Sequence, residues 1–250
     1  MRLSSSNTHP LWYADIGREA KKEIVADMPE QKTPNIAEDL LCIHAIITRG
    51  LNVSIEKGRL FVQDGYPDAS AREGFVAYVG SLVSVLHAHH LTESELFFPY
   101  FRDKLPDAPI DLLMAQHREL EPVLQQAKAA TDEVSAEAGA GAALGRLNDL
   151  LGKIADSWHP HIRIEEDHFS ADRLTTLIDT KEHDRLARAS MEHSQQHSGP
   201  DYLVVPFLLH NLPPDRRVLF ARLMPPVVTQ HLLPVVWKDK WEPMRPFLLS

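Results

Sequence analysis

Two histidine–carboxylate pairs stand four residues apart in this chain, His89 with Glu93 and His161 with Glu165. On a helix, residues i and i+4 share a face, with Cβ atoms about 5–6 Å apart. Each pair can therefore aim an imidazole and a carboxylate in one direction at one depth. Two further segments with helical periodicity carry single histidines, His44 and His117. Brought together, the six side chains would offer four neutral nitrogens and two anionic oxygens. That donor set suits one or two borderline transition metals far better than calcium or magnesium, which take oxygen ligands. If both carboxylates bridge two metals and the histidines divide evenly, each ion receives two nitrogens and two oxygens. Six-coordinate iron would then keep one place for a bridging oxo or hydroxo group and one for dioxygen or peroxide. The alternative, a purely structural role, would bury four histidines and two glutamates unpaired in an apolar core, and unpaired buried carboxylates are costly.

The elements that must position these residues are helical. Thr33-Pro34 sets a capping hydroxyl before a proline at a first helical position. Ile36, Leu40, Ile43, Ile47 and Leu51 then recur at helical spacing, with Gly50, Gly58 and Gly65 loosening and ending the segment. A second helix starts at Asp68/Ser70, where Glu73 completes a capping box, and runs through Phe75, Val79, Leu82 and Leu86 to Pro99. A third opens at Asp107-Ala108-Pro109 and carries Leu112, Leu113, Leu120 and Leu124. Residues 131–145 read as a loop leading into a fourth helix, through Leu144, Leu147, Leu151 and Ile154 towards Phe169. Period-two alternation is almost absent, so the expected fold is all-α. Four long helices with modest loops predict an up-and-down four-helix bundle over residues 34–171. Residues 1–33 read as an irregular lead-in with one short amphipathic helix near Ile16–Val25. Residues 172–250 read as a C-terminal helical extension, polar at first and proline-punctuated after 200, which packs on the bundle or joins two copies in a homodimer.

Composition agrees with a soluble globular chain: 250 residues, 44% hydrophobic and 24% charged. With 26 basic against 35 acidic side chains the net charge is -9, so the electrostatic footprint of a nucleic-acid or anionic-membrane binder is missing. No apolar run reaches the roughly 18 residues of a membrane span, and no signal-peptide pattern opens the chain. Cys42 is the one cysteine, which excludes an intramolecular disulfide framework and a CxxC site. A cytoplasmic protein with a free, inert Cys42 thiol is the expectation. Fourteen histidines among 250 residues make metal the natural suspicion, and helical spacing singles out four of them.

HHxxE followed by LFFP in the second helix, and HxxxEE in the fourth, resemble the hemerythrin-like (HHE cation-binding) family over roughly residues 35–190. The resemblance implies a four-helix bundle holding a non-haem di-iron centre, with His44, His89, Glu93, His117, His161 and Glu165 as ligands by position. Oxygen-carrying members use five histidines, with HxxxH in the third helix, where this chain has His117 and Glu121. They close the fourth-helix motif with HxxxxD, where this chain has Glu166 beside Glu165. Glu121 as a further ligand would harden the site and favour the ferric state; Glu121 turned away would leave a metal position open. Either arrangement shifts the expectation from reversible O2 carriage to redox turnover or sensing. Glu166 in place of Glu165 is an alternative ligand.

Prolines flank the site. Pro160, by removing a backbone donor, is expected to free the Asp156 carbonyl and bend the fourth helix at His161, or else to break it. Consecutive positions point in different directions, so His87 and His90 read as packed or exposed, with one of them orienting a ligand as the alternative. His168, His183, His193 and His197 lie beyond the bundle core, and His193-xxx-His197 reads as a solvated helical face. GxGxxG, P-loop, GxSxG and HExxH motifs are absent, and no constellation for an organic substrate is visible. The leading expectation is a di-iron protein that binds or reacts with O2, peroxide or NO, an oxidase- or peroxidase-like oxidoreductase if it turns over. The other is an iron- or oxygen-responsive sensor or iron store without turnover.

Overall fold

The computed structural model describes residues 36–136, 141–221 and 224–250, the side chain of residue 219 excepted. The amphipathic helix expected near Ile16–Val25 and the Thr33-Pro34 start lie outside the described residues. Four long helices carry the architecture: α1 (Ile36–Asp64), α2 (Ala69–Thr92), α4 (Ile110–Ala136) and α5 (Gly141–His168). A π turn (Glu93–Phe97) and the short α3 (Phe98–Phe101) prolong α2. Among the described residues there is no strand.

Local chemistry accounts for most of the ends. Asp68 caps α2 by accepting a hydrogen bond from the Ala71 N–H at 2.7 Å. Gly65, just past α1, takes φ +77°, the left-handed conformation that only glycine adopts freely. Gly50 and Gly58 do not interrupt α1, which is continuous past both. Residues 131–136, expected as loop, continue α4, because Thr131 and Val134 are buried on its inner face. Pro99 does not end the second helix. The π turn restarts the backbone ladder at Phe98, so Pro99 falls in a first turn, where its missing N–H leaves no bond unmade. Pro160 likewise lies within a continuous α5 and does not break it.

The four helices pack in a ring in which α1 touches α2 and α5, and α4 touches α2 and α5. Two apolar clusters fill the bundle. One contains Ile46, Leu51, Phe75, Leu82, Leu124 and Trp158; the other contains Ile36, Phe98, Phe101, Leu113 and Phe169. Along α1 the chain passes from the second cluster to the first, along α2 from first to second, along α4 back again, and along α5 back once more. This alternation is the signature of up-and-down topology. In each helix the histidine or glutamate of interest lies at the crossing between the clusters.

The C-terminal extension consists of α6 (Ala171–Leu177), α7 (Thr180–His197), α8 (Asp201–His210), α9 (Pro214–Ala221), a π segment (Val228–Val236), α10 (Lys238–Trp241) and a closing 3-10 turn (Glu242–Phe247). It covers α2, against which α7, α8 and the closing turn all pack. Phe207, Leu232, Trp237, Met244 and Phe247 join the first apolar cluster. A buried polar knot adds direction. Arg49 of α1 donates to the Phe247 carbonyl (3.0 Å), Tyr78 Oη (3.2 Å) and Asn211 Oδ1, and Tyr78 donates to the same amide oxygen at 2.7 Å. Covered by neighbours on every side, α2 has buried side chains all round, unlike a one-faced surface helix.

Gly74 shows how tightly the tail is seated, since a Cβ there would lie 1.8 Å from the Pro243 carbonyl oxygen. Gly74→Ala is expected to lower stability by about 1–3 kcal/mol through overpacking against rigid backbone. Thermal unfolding should show a drop of several degrees. The control Gly80→Ala, on the same helix with nothing within 4 Å, should hold or raise the midpoint.

Candidate metal centre

At the level where the two apolar clusters meet, the bundle core is polar. His44 from α1, His89 and His90 from α2, Glu93 from the π turn, His117 from α4, and His161 and Glu165 from α5 are all buried. They fall into two groups, His44, His89, Glu93 and Glu165, and His90, Glu93, His117 and His161. Within each group every residue offers a ligand atom within 4.8 Å of the others, and Glu93 belongs to both.

The shorter distances show how the donors converge. Glu165 lies between His44 Nε2 (3.2 Å) and His161 Nε2 (3.1 Å). Glu93 Oε2 lies between His89 Nε2 (3.4 Å) and His117 Nε2 (3.5 Å). His117 and His161 turn their Nε2 atoms towards each other at 3.0 Å. Two ligand atoms about 2.1 Å from one ion lie about 3–3.5 Å apart, so the spacings within each group would allow its atoms to share an ion. Within the protein, His44 Nε2, His89 Nε2, Glu93 Oε2, both Glu165 carboxylate oxygens and both His90 ring nitrogens have no hydrogen-bond partner. Buried polar atoms are almost always satisfied, and a cation held by each group would give a partner to one such atom of every residue in it.

Other side chains fix the rings from behind. His44 Nδ1 pairs with Glu166 Oε1 at 2.9 Å, His117 Nδ1 with Ser94 Oγ at 2.8 Å, and His161 Nδ1 with Gln116 Oε1 at 2.8 Å. A partner on one ring nitrogen sets the tautomer and leaves the other for a metal. Trp158, fully buried, stands edge-on to His44 and His89 and donates its indole N–H to Thr48 at 2.9 Å.

Electrostatics favour the ligating forms of most rings. Burial, helped by neighbouring imidazoles, holds His89 and His90 well below the usual histidine range and brings His117 down to about 3. Burial also opposes the charged form of His44, but its two glutamate partners outweigh it and raise the ring. The two carboxylates divide. Burial and the nearby Glu165 push Glu93 far up, whereas the imidazoles of His161 and His44, 3.1 and 3.2 Å away, overcome burial and hold Glu165 low. A cation placed between them would offset both the burial and the repulsion that raise Glu93.

All six residues expected from helical spacing lie in this cluster. His90, read from the sequence as packed or exposed, lies in it too, stacked on His117 at 4.0 Å between ring centroids. The signal was available: His90 and Glu93 are three apart, hence on one face. Consecutive positions do point in different directions, but on a helix covered all round both His89 and His90 are buried. Glu121 is turned away, half-exposed and engaged with Gln125 (2.9 Å) and His87 (3.5 Å). Glu166 supports His44 from outside the cluster. His193 is no solvated face. It joins Thr92 Oγ1 and Glu95, both at 2.9 Å, and ties α7 to the segment around Glu93.

A buried layer of imidazoles and carboxylates contributed by all four helices of an up-and-down bundle defines a helical-bundle cation-binding protein. Residues 37–172, more than half of the chain, match the model of the hemerythrin HHE cation binding domain. The chain belongs to that family. No curated protein and no solved structure matches it, and no helix among the described residues is long and apolar enough to cross a membrane.

Glu166→Gln tests the support given to His44. Loss of a carboxylate behind a ligating ring typically costs 10–100-fold in metal affinity. A competition titration with a chelator should therefore show at least about tenfold weaker binding, with the circular dichroism unchanged because Glu166 is partly exposed.

Proposed function

We propose that this is a non-haem di-iron protein that binds or reacts with O2, peroxide or NO inside the bundle. In this reading His44, His89, Glu93 and Glu165 hold one ion, and His90, Glu93, His117 and His161 hold the other. The observation that carries it is the pair of four-residue donor groups meeting at Glu93, with buried ligand atoms that no protein group satisfies. Five imidazoles with two carboxylates form a donor set for iron or a similar transition ion, and the absence of thiolate argues against a structural zinc site.

Bound there, an iron pair supplies one- and two-electron chemistry towards small oxygen species. The chain supplies the rest. Glu166, Ser94 and Gln116 orient the rings, Trp158 and the flanking apolar clusters exclude water, and Glu93 and Glu165 balance cationic charge. The outward turn of Glu121 leaves the second group without the further protein ligand that an inward glutamate would supply. This is the feature that favours reaction over simple storage.

One observation favours a second reading, a sensor. Thr92, next to Glu93, hydrogen-bonds both His193 and Ser194 of α7, so a change at Glu93 has a direct route into the C-terminal extension.

Expression in iron-supplemented medium is expected to yield close to two iron ions per chain with a visible absorption that bleaches on reduction. Well under one equivalent would overturn the proposal. His90→Ala should retain about half of the iron, whereas Glu93→Ala should lose nearly all of it. Aerobic consumption of peroxide or O2 beyond one equivalent separates turnover from sensing.

A further inference from the structure

Beside the metal centre lies a cavity of about 290 Å³ that the bundle and the C-terminal extension enclose together. Its bundle side is formed by α1, α2 and the turn after α2; its other side by α7, α8 and the residues Phe220, Met224, Pro225 and Val228. His89 and Glu93 line it, so it opens directly onto the first group of candidate ligands. A cavity of about 150 Å³ accommodates benzene. This one is nearly twice that, at the lower edge of the range for small-molecule sites, and far exceeds what a diatomic molecule needs.

The lining determines the chemistry of an occupant. Leu40, Ile43, Phe101, Leu174, Val205 and Leu208 make most of the wall apolar. The charged groups on it are all acidic: Asp39 and Asp201, besides Glu93, and the lining contains no lysine or arginine. Asp201 accepts from Gln195 at 3.4 Å. No ion pair engages Asp39 among the described residues. Its carboxyl is pushed up to about 7 by burial first and by neighbouring Glu38 second, so it sits where a cationic partner would stabilise it strongly.

We propose that this cavity is a binding site for a small organic amine, an apolar body of roughly ten heavy atoms whose ammonium group pairs with Asp39. That class follows from an apolar wall, the Asp39 carboxyl on it with no lysine or arginine in the lining, and a volume too large for the diatomic molecules expected at the metals. The proposal deepens the reading of the centre as a di-iron site by supplying an organic molecule next to it. The cavity itself stands on α1, α2, α7 and α8 whether or not iron binds.

The test uses the full-length chain and three probes of equal length, 1-octylamine, 1-octanol and octanoate, in titration calorimetry on metal-free protein. Octylamine is expected to bind at least about tenfold more tightly than octanol, as a charge-assisted hydrogen bond would require, and octanoate more weakly still. Asp39→Asn should remove that advantage while leaving octanol binding unchanged. Ala187→Phe, which fills the cavity from α7, should abolish binding of all three. Should that variant fail to fold, the Asp39→Asn comparison decides alone. Equal binding of the three probes, no binding of any, or an amine affinity indifferent to Asp39→Asn would each overturn the proposal. On iron-loaded protein, octylamine should also perturb the visible spectrum. A chain that takes up no iron yet binds octylamine through Asp39 would refute the di-iron reading and leave the amine site standing.

Discussion

Two carboxylates buried in the middle of an apolar bundle are the constraint on which the rest of this structure turns. Glu93 and Glu165 are 3% and 0% exposed, and among the described residues no lysine or arginine pairs with either. Removing such groups from water costs several kcal/mol per ion unless compensating charge and hydrogen bonds are supplied. The protein meets that cost with imidazoles from all four helices and with a site suited to cations between them. The polar layer in turn divides the core in two, so each long helix must carry apolar residues on both sides of its ligand. The register of α1, α2, α4 and α5 is thereby coupled: a helix sliding by one turn would place a histidine among leucines and a leucine among carboxylates.

The extension after residue 171 changes what the bundle can do. By packing α7, α8 and the closing turn over α2, it encloses that helix and makes room for both His89 and His90 on the inside. Gly74, pressed against the Pro243 carbonyl, and the knot of Arg49, Tyr78 and Asn211 hold the cover in place. The same cover leaves a cavity where α7 and α8 do not fully meet α1 and α2. Closure of the fold and access to the centre are therefore set by the same segments.

Much of the bundle was legible because helical periodicity is a local property. Apolar spacing gave the four long helices, and the Asp68 and Pro109 signals located the starts of α2 and α4 to within a residue or two. The errors also have local causes. Residues 131–136 are rich in small and charged side chains and read as loop, yet Thr131 and Val134 have a neighbouring helix to pack against. Pro99 read as a helix end because proline lacks an N–H, but a π turn shifted the backbone register ahead of it. His193 read as solvated because nothing near it in sequence reveals that Thr92 and Glu95 lie opposite.

By itself, then, the sequence determined the helices, the topology they favour and six of the seven side chains in the central cluster. It could do so because i, i+4 spacing gives His89 with Glu93 and His161 with Glu165 a shared face, and helical periodicity puts His44 and His117 on the two remaining long helices. Only the tertiary structure decided that His90 joins them, that Glu121 turns away while Glu166 backs His44, and that a cavity opens beside Glu93. Each of these depends on which faces of a helix are covered, and coverage comes from segments distant in the chain.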